Sequence, residues 1–292
     1  MTDMRGFLRN ISILIIIQLF TFCNKLPEYD LMDPDDMIVI DGWIENGQYA
    51  KVLLTRNAPY FSSLDSASLR ELVLTRASVI LTEGERSEYL TLRRNDNYFP
   101  PFIYEGNEIK GETGKTYTLT ATYGGRSASG ETTIPPEVSL DTLFFELNED
   151  SDSLGTIYIE FTDPPGTRNY YRILSQITGE DRRFYSSMVM GLSDEMFGGQ
   201  KFGFSLFRGR ETYLSAMKNE YFSLGDTVNI KFCSIDQAHY EFWNSFQDEI
   251  LNTGNPFASS LSVIKSNIRG DGLGVWGGYG VKYYTIIIKK AP

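Results

Sequence analysis

Hydrophobic and polar positions divide this chain into one long apolar run and many short alternating segments. The apolar run covers 11–22 and ends at Cys23, where a polar and acidic stretch begins. From Met37 onward, segments such as MIVIDGWI and YAKVLLTR alternate or run apolar, and they are rich in β-branched and aromatic residues. Turn residues separate these segments at short intervals, which is typical of β-strands. The chain beyond the apolar run is therefore predicted to be mainly β.

The first block of strands, 37–136, is predicted to form an immunoglobulin-like β-sandwich, because its short strands recur at the spacing of sandwich proteins. In GKTYTLTATYGG, Gly114 precedes Tyr117 in the way that a late strand of such a sandwich often begins. A plain edge strand with an aromatic residue is the alternative for this segment. Pro135 and Pro136 cannot continue a sheet ladder, so we place the end of the block there.

The second block, 137–292, is predicted to form a fibronectin type III-like β-sandwich. Its segments LDTLFFEL, TIYIEFTD and NYYRILSQI give two strands, a Pro-Pro-Gly turn and an aromatic strand. A Gly- and Phe-rich segment over 179–225 is predicted to be a long, irregular insertion. The fold class is thus mainly β, with two immunoglobulin/fibronectin type III-like β-sandwich domains in tandem and one helix inserted in the second.

The inserted helix is predicted over 236–251. Apolar residues fall on one of its faces at helical spacing, and they are Phe242, Trp243, Phe246 and Ile250. Either Ser234 or Asp236 can cap its N-terminus.

The start of the chain predicts export. Arg5 and Arg9 precede the apolar run, which has 12 residues, whereas a membrane-spanning helix needs about 20. A basic start and a short apolar core describe a secretory signal peptide. The cysteine after the core favours a lipoprotein signal over 1–22, a diacylated (palmitate-type) Cys23 and an acidic tether over 23–36. An ordinary signal peptide or an uncleaved anchor is the alternative.

Charge and cysteine content narrow the choice of partners. The net charge of −11 argues against nucleic acid as a partner. The chain has two cysteines, so acylation of Cys23 leaves Cys233 without a disulfide partner. Because Cys233 lies in the apolar segment VNIKFCS, it is predicted to be a small packed side chain on a strand.

Candidate chemistry is sparse. His239 is the only histidine, which excludes a multi-histidine zinc site, and we interpret it as a residue at the edge of the helix stripe. The segment 272–277 fits G-x-G-x-x-G, but a β segment follows it where a dinucleotide site needs a helix. We predict no catalytic residue, no cofactor and no metal ligand. Trp276 and Tyr279, in a predicted glycine loop over 270–280, are the candidate contact residues.

Several segments in order resemble one family. IVIDGWIENG, KVLLTRNAPYF, ASVILTEG, GETGKTYTLTATYGG, TDPPGTRNYYRI and GDTVNIKFCSIDQAHYEFW, closed by NPFASSLSVIKSNIRGDGLGVWGGYG, resemble lipoproteins of the Bacteroidota grouped as domain of unknown function 4249. The resemblance covers about 37–280. It implies an outer-membrane lipoprotein, often encoded beside a TonB-dependent receptor, and it assigns no catalytic residue and no ligand.

The leading functional hypothesis is a non-enzymatic, lipid-anchored outer-membrane protein that binds or supports a TonB-dependent receptor in nutrient uptake. A structural or adhesion module at the cell surface is the second hypothesis. A glycan-acting hydrolase with two unnamed carboxylates is the third. The ligand, the oligomeric state and the membrane face, periplasmic or external, stay open.

Overall fold

The computed structural model describes residues 37–57, 70–209, 220–252 and 264–289. The predicted signal peptide, Cys23 and the tether over 23–36 lie outside the described residues. The part that begins at Asp35 forms one compact unit, and alternation within its strands determines which side chains are buried.

Within these ranges the chain forms eighteen strands, one α-helix and a short 3₁₀ helix over Asp194–Met196. The elements are β1 Ile38–Glu45, β2 Tyr49–Arg56, β3 Ser78–Glu83, β4 Arg86–Tyr89, β5 Thr91–Arg94, β6 Phe102–Lys110, β7 Thr116–Tyr123, β8 Arg126–Thr133, β9 Leu140–Leu147, β10 Leu154–Thr162, β11 Tyr170–Ile177, β12 Tyr185–Ser186, β13 Leu192–Ser193, β14 Lys201–Leu206, β15 Phe222–Ser223, β16 Thr227–Ile235, α1 Gln237–Asn252, β17 Ile268–Gly270 and β18 Gly272–Ile287. The protein is thus mainly β, as the sequence predicts.

Three sheets organise the strands. The largest has nine strands in the order β12-β11-β16-β18-β1-β2-β6-β5, with β13 added beside β11. A five-stranded sheet has the order β17-β8-β7-β3-β4. A four-stranded sheet is centred on β10, which pairs with β9, β14 and β15. The two smaller sheets each share a hydrophobic core with part of the nine-stranded sheet.

The long strand β18 lies in the middle of the nine-stranded sheet and joins its two halves. Its first half pairs in parallel with β1, from Ile38 opposite Gly272 to Glu45 opposite Tyr279. Its second half pairs antiparallel with β16, from Gly280 to Ile287. One continuous strand therefore hydrogen-bonds to strands from both predicted sandwich segments.

Two hydrophobic cores lie on the same side of β18. The core beneath the five-stranded sheet contains Trp276, which is completely buried. The core beneath the four-stranded sheet is lined by Phe161 and Phe232, with Tyr284 and Ile286 of β18 packed against it. Because side chains alternate along a strand, the even-numbered residues of β18 face both cores. Its odd-numbered residues, from Tyr279 onward, face the opposite side.

Most of the segment over 270–280, from Gly272 onward, belongs to strand β18 and is not the predicted loop. Its glycines gave the sequence no alternating apolar pattern, yet they allow close approach of neighbouring chain. A Cβ atom at Gly277 would overlap the ring of His239, and one at Gly280 would overlap the carbonyl of Pro135. The missing side chains let β18 lie against helix α1 and against the Pro135–Pro136 linker.

Two further parts of the predicted organisation differ in detail. Within the segment predicted as an irregular insertion, β14 is a regular strand that pairs with β10 from Ile157 opposite Leu206 to Thr162 opposite Lys201. At the C-terminal end, β17 pairs with β8, so these residues join strands that precede the predicted boundary at 136/137. Strand pairing over long sequence separation, which local patterns do not encode, is the reason for both differences.

The helix predicted over 236–251 runs over Gln237–Asn252. Of the two candidate caps, Asp236 is the one that acts, since its carboxylate accepts the backbone N–H of His239 at 2.8 Å. In the described part of the chain, no helix combines the length and the apolar character that a membrane crossing requires.

Candidate ligand-binding cavity on the open face of the large sheet

Alternation along β1 produces two chemically different faces. Ile38, Ile40 and Ile44 are buried in the core beneath the five-stranded sheet. Residues of odd number point the other way, and these include Asp41 and Glu45. The same division recurs on β11, β16 and β18. One face of the large sheet packs in the two cores, and the other carries charged and aromatic groups beside a smaller apolar cluster that includes Cys233 and Val281.

Helix α1 and the segment over 182–190 cover this second face. The apolar stripe of the helix, predicted from its spacing, faces the sheet and lines a cavity with Phe242, Trp243, Phe246 and Ile250. The covering segment is joined to the helix where the backbone N–H of Met190 donates to Gln247 Oε1 at 2.7 Å. Sheet, helix and segment thus border one common cavity.

The cavity has a volume of about 740 Å³ and is partly open to solvent. Its lining is mixed, with several aromatic rings beside acidic and basic groups. The residues that line it include Val39, Asp41, Trp43, Glu45, Lys51, Tyr98, Arg172, Arg182, Arg183, Tyr185, Lys231, Trp243, Tyr279 and Tyr283. This is the size and the mixture typical of small-molecule sites.

One charge pair in the wall is closed on itself. The side chains of Glu45 and Lys231 are both almost fully buried and form a direct ion pair. Tyr283 donates a further hydrogen bond to the other oxygen of Glu45. The ammonium group of Lys231 also lies 5.2 Å from the ring centroid of Tyr279. Each charge of this pair therefore has its partner within the protein.

A second cluster surrounds Arg172. Its guanidinium carbon lies 3.5 Å from the ring centroid of Trp243, so the two planar groups are in contact. Its Nη1 donates to Tyr279 Oη at 2.6 Å, and Tyr279 Oη lies 3.2 Å from Nε2 of His239. Burial, with a further contribution from Arg172, holds the pKa of His239 well below its usual 6.5. The histidine is therefore neutral and cannot add a positive charge to the cluster.

Asp41 is the carboxylate that borders the cavity without such a closed pairing. Burial raises the pKa of Asp41 above its ordinary 3.8, although the positive charges of Arg172 and Arg183 act in the opposite direction. Within the described part of the chain, no hydrogen bond or ion pair ends on this carboxylate at bonding distance. The cavity therefore holds an acid whose ionised form the protein stabilises only from a distance.

We expect Asp41→Asn to stabilise the protein at neutral pH relative to wild type. With a raised pKa, the folded form binds the proton more tightly than the unfolded chain, so wild type loses stability as pH rises from 3.8 through the folded pKa. The asparagine variant lacks this loss. Urea unfolding at about pH 4 and about pH 7 should show a gain at the higher pH that shrinks at the lower one.

Asp152→Asn, at an exposed position, is the matched control and should change the free energy of unfolding by less than about 0.5 kcal/mol. An Asp41→Asn curve parallel to that of wild type across this pH range would show that Asp41 ionises as freely in the folded form as in the unfolded chain.

The structure separates the two candidate contact residues. Tyr279 lines the cavity and contacts Arg172. Trp276 is 0 % exposed, and its indole N–H donates to the carbonyl of Tyr117 at 3.0 Å inside the core. Because β18 alternates, three positions suffice to place the two rings on opposite faces. Trp276 therefore offers no surface to a ligand or partner.

The structure also corrects the interpretation of His239. It is 1 % exposed and packs against Tyr279 and Gly277 of β18, so it is not at the edge of the helix stripe. Room for its ring comes from Gly277, a contact that the helix sequence alone does not reveal. Cys233 is buried on β16, which confirms its prediction as a packed side chain, and burial raises the pKa of its thiol to about 12.

Sequence reasoning missed the charged wall of the cavity. Asp41, Arg172 and Lys231 each stand inside an otherwise apolar strand, in IVIDGWI, YYRILSQI and VNIKFCS. A charge at the centre of an apolar strand is the signal that could have identified them, since buried charges are rare without a partner or a function. Among the described residues, no group of three or more His, Cys, Asp or Glu side chains is placed to hold a metal ion.

Comparison with known families shows to which family the chain belongs. A family model described as Domain of unknown function (DUF4249) matches residues 26–285. The chain belongs to this family, which confirms the family resemblance of its ordered segments. No curated protein matches the sequence.

Proposed function

We propose that this protein is a non-enzymatic, lipid-anchored outer-membrane protein of the Bacteroidota that binds a small organic molecule in the cavity beneath helix α1. The observation that carries the proposal is the cavity of about 740 Å³ with its aromatic and charged lining. Ligand sites usually have volumes of about 300–1,000 Å³, mostly apolar walls and a few polar groups. In this proposal the bound molecule is a nutrient that passes to a TonB-dependent receptor.

The proposed architecture is two sandwiches in tandem, one immunoglobulin-like and one fibronectin type III-like, which share β18. In support of it, the five-stranded and four-stranded sheets each share a separate core with the nine-stranded sheet. The nine-stranded sheet, supported by these cores, would hold its side of the cavity in place without a ligand.

Binding is favoured over glycan hydrolysis by the two acids in the lining. Asp41 and Glu45 are four residues apart on β1, which separates their backbone positions by about 13 Å. Glycosidase carboxyl pairs lie about 5–10 Å apart. Glu45 is also bound by Lys231 and Tyr283, which leaves it little freedom to approach Asp41.

A cavity-filling variant tests the binding function. The probes are 2-naphthoate and its neutral analogue 2-naphthamide, titrated into the full lipid-anchored chain in lipid nanodiscs, with empty nanodiscs as the blank. Trp43 and Trp243 line the cavity, so their fluorescence should report binding. Val39→Trp, which adds a large side chain to the lining, should weaken probe binding by at least about tenfold.

Tyr89→Trp adds a similar ring at a position that is 70 % exposed and outside the lining, and it should leave binding unchanged. If neither probe binds to wild type, or if Val39→Trp binds them as wild type does, the cavity is not the ligand site.

The anchor is tested at Cys23, which lies outside the described residues. Metabolic labelling with a fatty-acid analogue should mark wild type, and Cys23→Ala should lose the label and leave the membrane fraction, because two acyl chains provide the anchorage. Purification of wild type from solubilised outer membranes should retain a TonB-dependent receptor. A Cys23→Ala chain that stays membrane-bound with an intact N-terminus would support an uncleaved anchor instead.

A further inference from the structure

Positive charge dominates the wall of the cavity. Among the described residues, five basic ones line it, and they are Lys51, Arg172, Arg182, Arg183 and Lys231. Two acids of the described lining, Asp41 and Glu45, stand against them. With all of these groups ionised, the described lining has a formal charge of +3, whereas the whole chain has −11. A basic cavity in an acidic protein indicates that its occupant is an anion.

Part of this charge is already used inside the protein. Glu45 and Lys231 neutralise each other, and Tyr283 completes the bonding of Glu45. The remaining acid is Asp41, which faces the arginines. Apart from Lys51, the other basic groups of the described lining are guanidinium groups, whose flat, forked donors match a carboxylate.

Arg172 is prepared for such a ligand. It is only 7 % exposed, yet it borders the cavity. Its flat face is taken by Trp243, which leaves the N–H donors at its edge available, and within the described residues its one hydrogen bond goes to Tyr279. Its Nε is buried with no hydrogen-bond partner among the described residues. A buried arginine with so few acceptors is incomplete without a further one.

Arg183 lies near the same place. Its guanidinium carbon is 5.2 Å from the ring centroid of Tyr98 and 5.4 Å from that of Tyr185. Arg172, Arg183 and the carboxylate of Asp41 all line this cavity. In the same lining, Trp43 and Tyr98 have ring centroids 6.0 Å apart, with their planes tilted by 40°, and offer aromatic surface to a ligand.

We propose that the cavity is specific for a small organic carboxylate with a flat aromatic portion, whose carboxylate binds to Arg172 in the part of the cavity that Arg183 also lines, while its rings contact Trp43, Tyr98 and Trp243. The inference rests on the proposed binding function and specifies its ligand class. A singly charged carboxylate is favoured over a phosphate ester because Asp41 repels a second negative charge at the same place.

The test compares 2-naphthoate with 2-naphthamide and 2-naphthyl phosphate, titrated into the full chain in nanodiscs. Naphthoate should bind at least about tenfold more tightly than the neutral amide, because hydrogen bonds to a charged group are the stronger kind. It should also bind more tightly than the phosphate. A phosphate that binds best would overturn the carboxylate assignment.

Three variants test which residues recognise the carboxylate of the ligand. Arg172→Gln should abolish the preference for naphthoate over naphthamide, and Arg172→Lys, which keeps the charge and loses the fork, should retain part of it. Asp41→Asn should tighten naphthoate and leave naphthamide unchanged, since it removes a repelling charge and little volume. This last variant tests the assignment even if Arg172→Gln fails to fold. Arg86→Gln, at an arginine outside the lining, is the matched control and should behave as wild type.

The outcomes separate the two proposals. If naphthamide binds as tightly as naphthoate and Val39→Trp still blocks both, the carboxylate class is wrong while the binding function stands. If Asp41→Asn leaves naphthoate binding unchanged, the anion does not sit beside Arg172 and Arg183. If no probe binds to wild type, both the ligand class and the binding function fail.

Discussion

Lys231→Met is expected to lower the free energy of unfolding by about 3–5 kcal/mol, because it leaves Glu45 as a buried charge without its partner. Methionine keeps most of the volume of the lysine side chain, so the loss comes mainly from the charge. Tyr283 still donates to Glu45, but one hydrogen bond does not replace an ion pair in a buried site. Urea unfolding at neutral pH measures the effect.

Lys115→Met is the matched control. Lys115 pairs with Glu83 at 3.3 Å, but its side chain is 52 % exposed, and such pairs contribute less than about 1 kcal/mol. The double variant Glu45→Gln/Lys231→Met should regain a large part of the loss, since it removes both charges. If Lys231→Met is no less stable than Lys115→Met, water reaches Glu45 in the folded protein.

Trp276→Ala is expected to lower the free energy of unfolding by about 3–5 kcal/mol, the usual loss when a buried aromatic side chain is replaced by alanine. The indole is 0 % exposed in the core beneath the five-stranded sheet. Its removal also leaves the carbonyl of Tyr117 without the indole N–H. Urea unfolding of the purified variant beside wild type gives the difference.

Tyr89→Ala removes a ring of comparable kind at a position that is 70 % exposed, and it should change stability by less than about 0.5 kcal/mol. Trp276→Phe should lie between wild type and Trp276→Ala, because it keeps part of the packing and loses the hydrogen bond. Equal stability of Trp276→Ala and Tyr89→Ala would contradict the burial of the indole.

Trp276→Ala and Lys231→Met probe opposite faces of the nine-stranded sheet. Trp276 packs beneath β18 and Lys231 lies above the neighbouring β16, on the side of the cavity. Because the sheet is continuous across β1, β18 and β16, the side of the cavity that the sheet forms has a packed core behind it. Rigid support of this kind keeps the charged groups at fixed distances, which a selective site requires.

The elements that local patterns encode were predictable from the sequence. Alternation in MIVIDGWI gives β1, and the 3.6-residue period of the apolar stripe gives α1 within one residue at each end. The family was also recognisable from the order of its segments, and the family model matches residues 26–285. In each case the information lies in a short stretch of chain, where neighbouring side chains determine the backbone geometry.

The cavity was decided by tertiary structure alone. Residues Glu45 and Lys231 are far apart in the sequence, and only the pairing of β1 and β16 with β18 brings their charges together. The same pairing turns the glycines over 270–280 from a predicted loop into the strand that links both cores, and it gives His239 a buried place against Gly277. Side-chain periodicity reports which face of an element is apolar, but it carries no information on which distant strand will lie beside it. The position of the charges in the cavity depends on those long-range hydrogen bonds, and it therefore exists only once the sheet has formed.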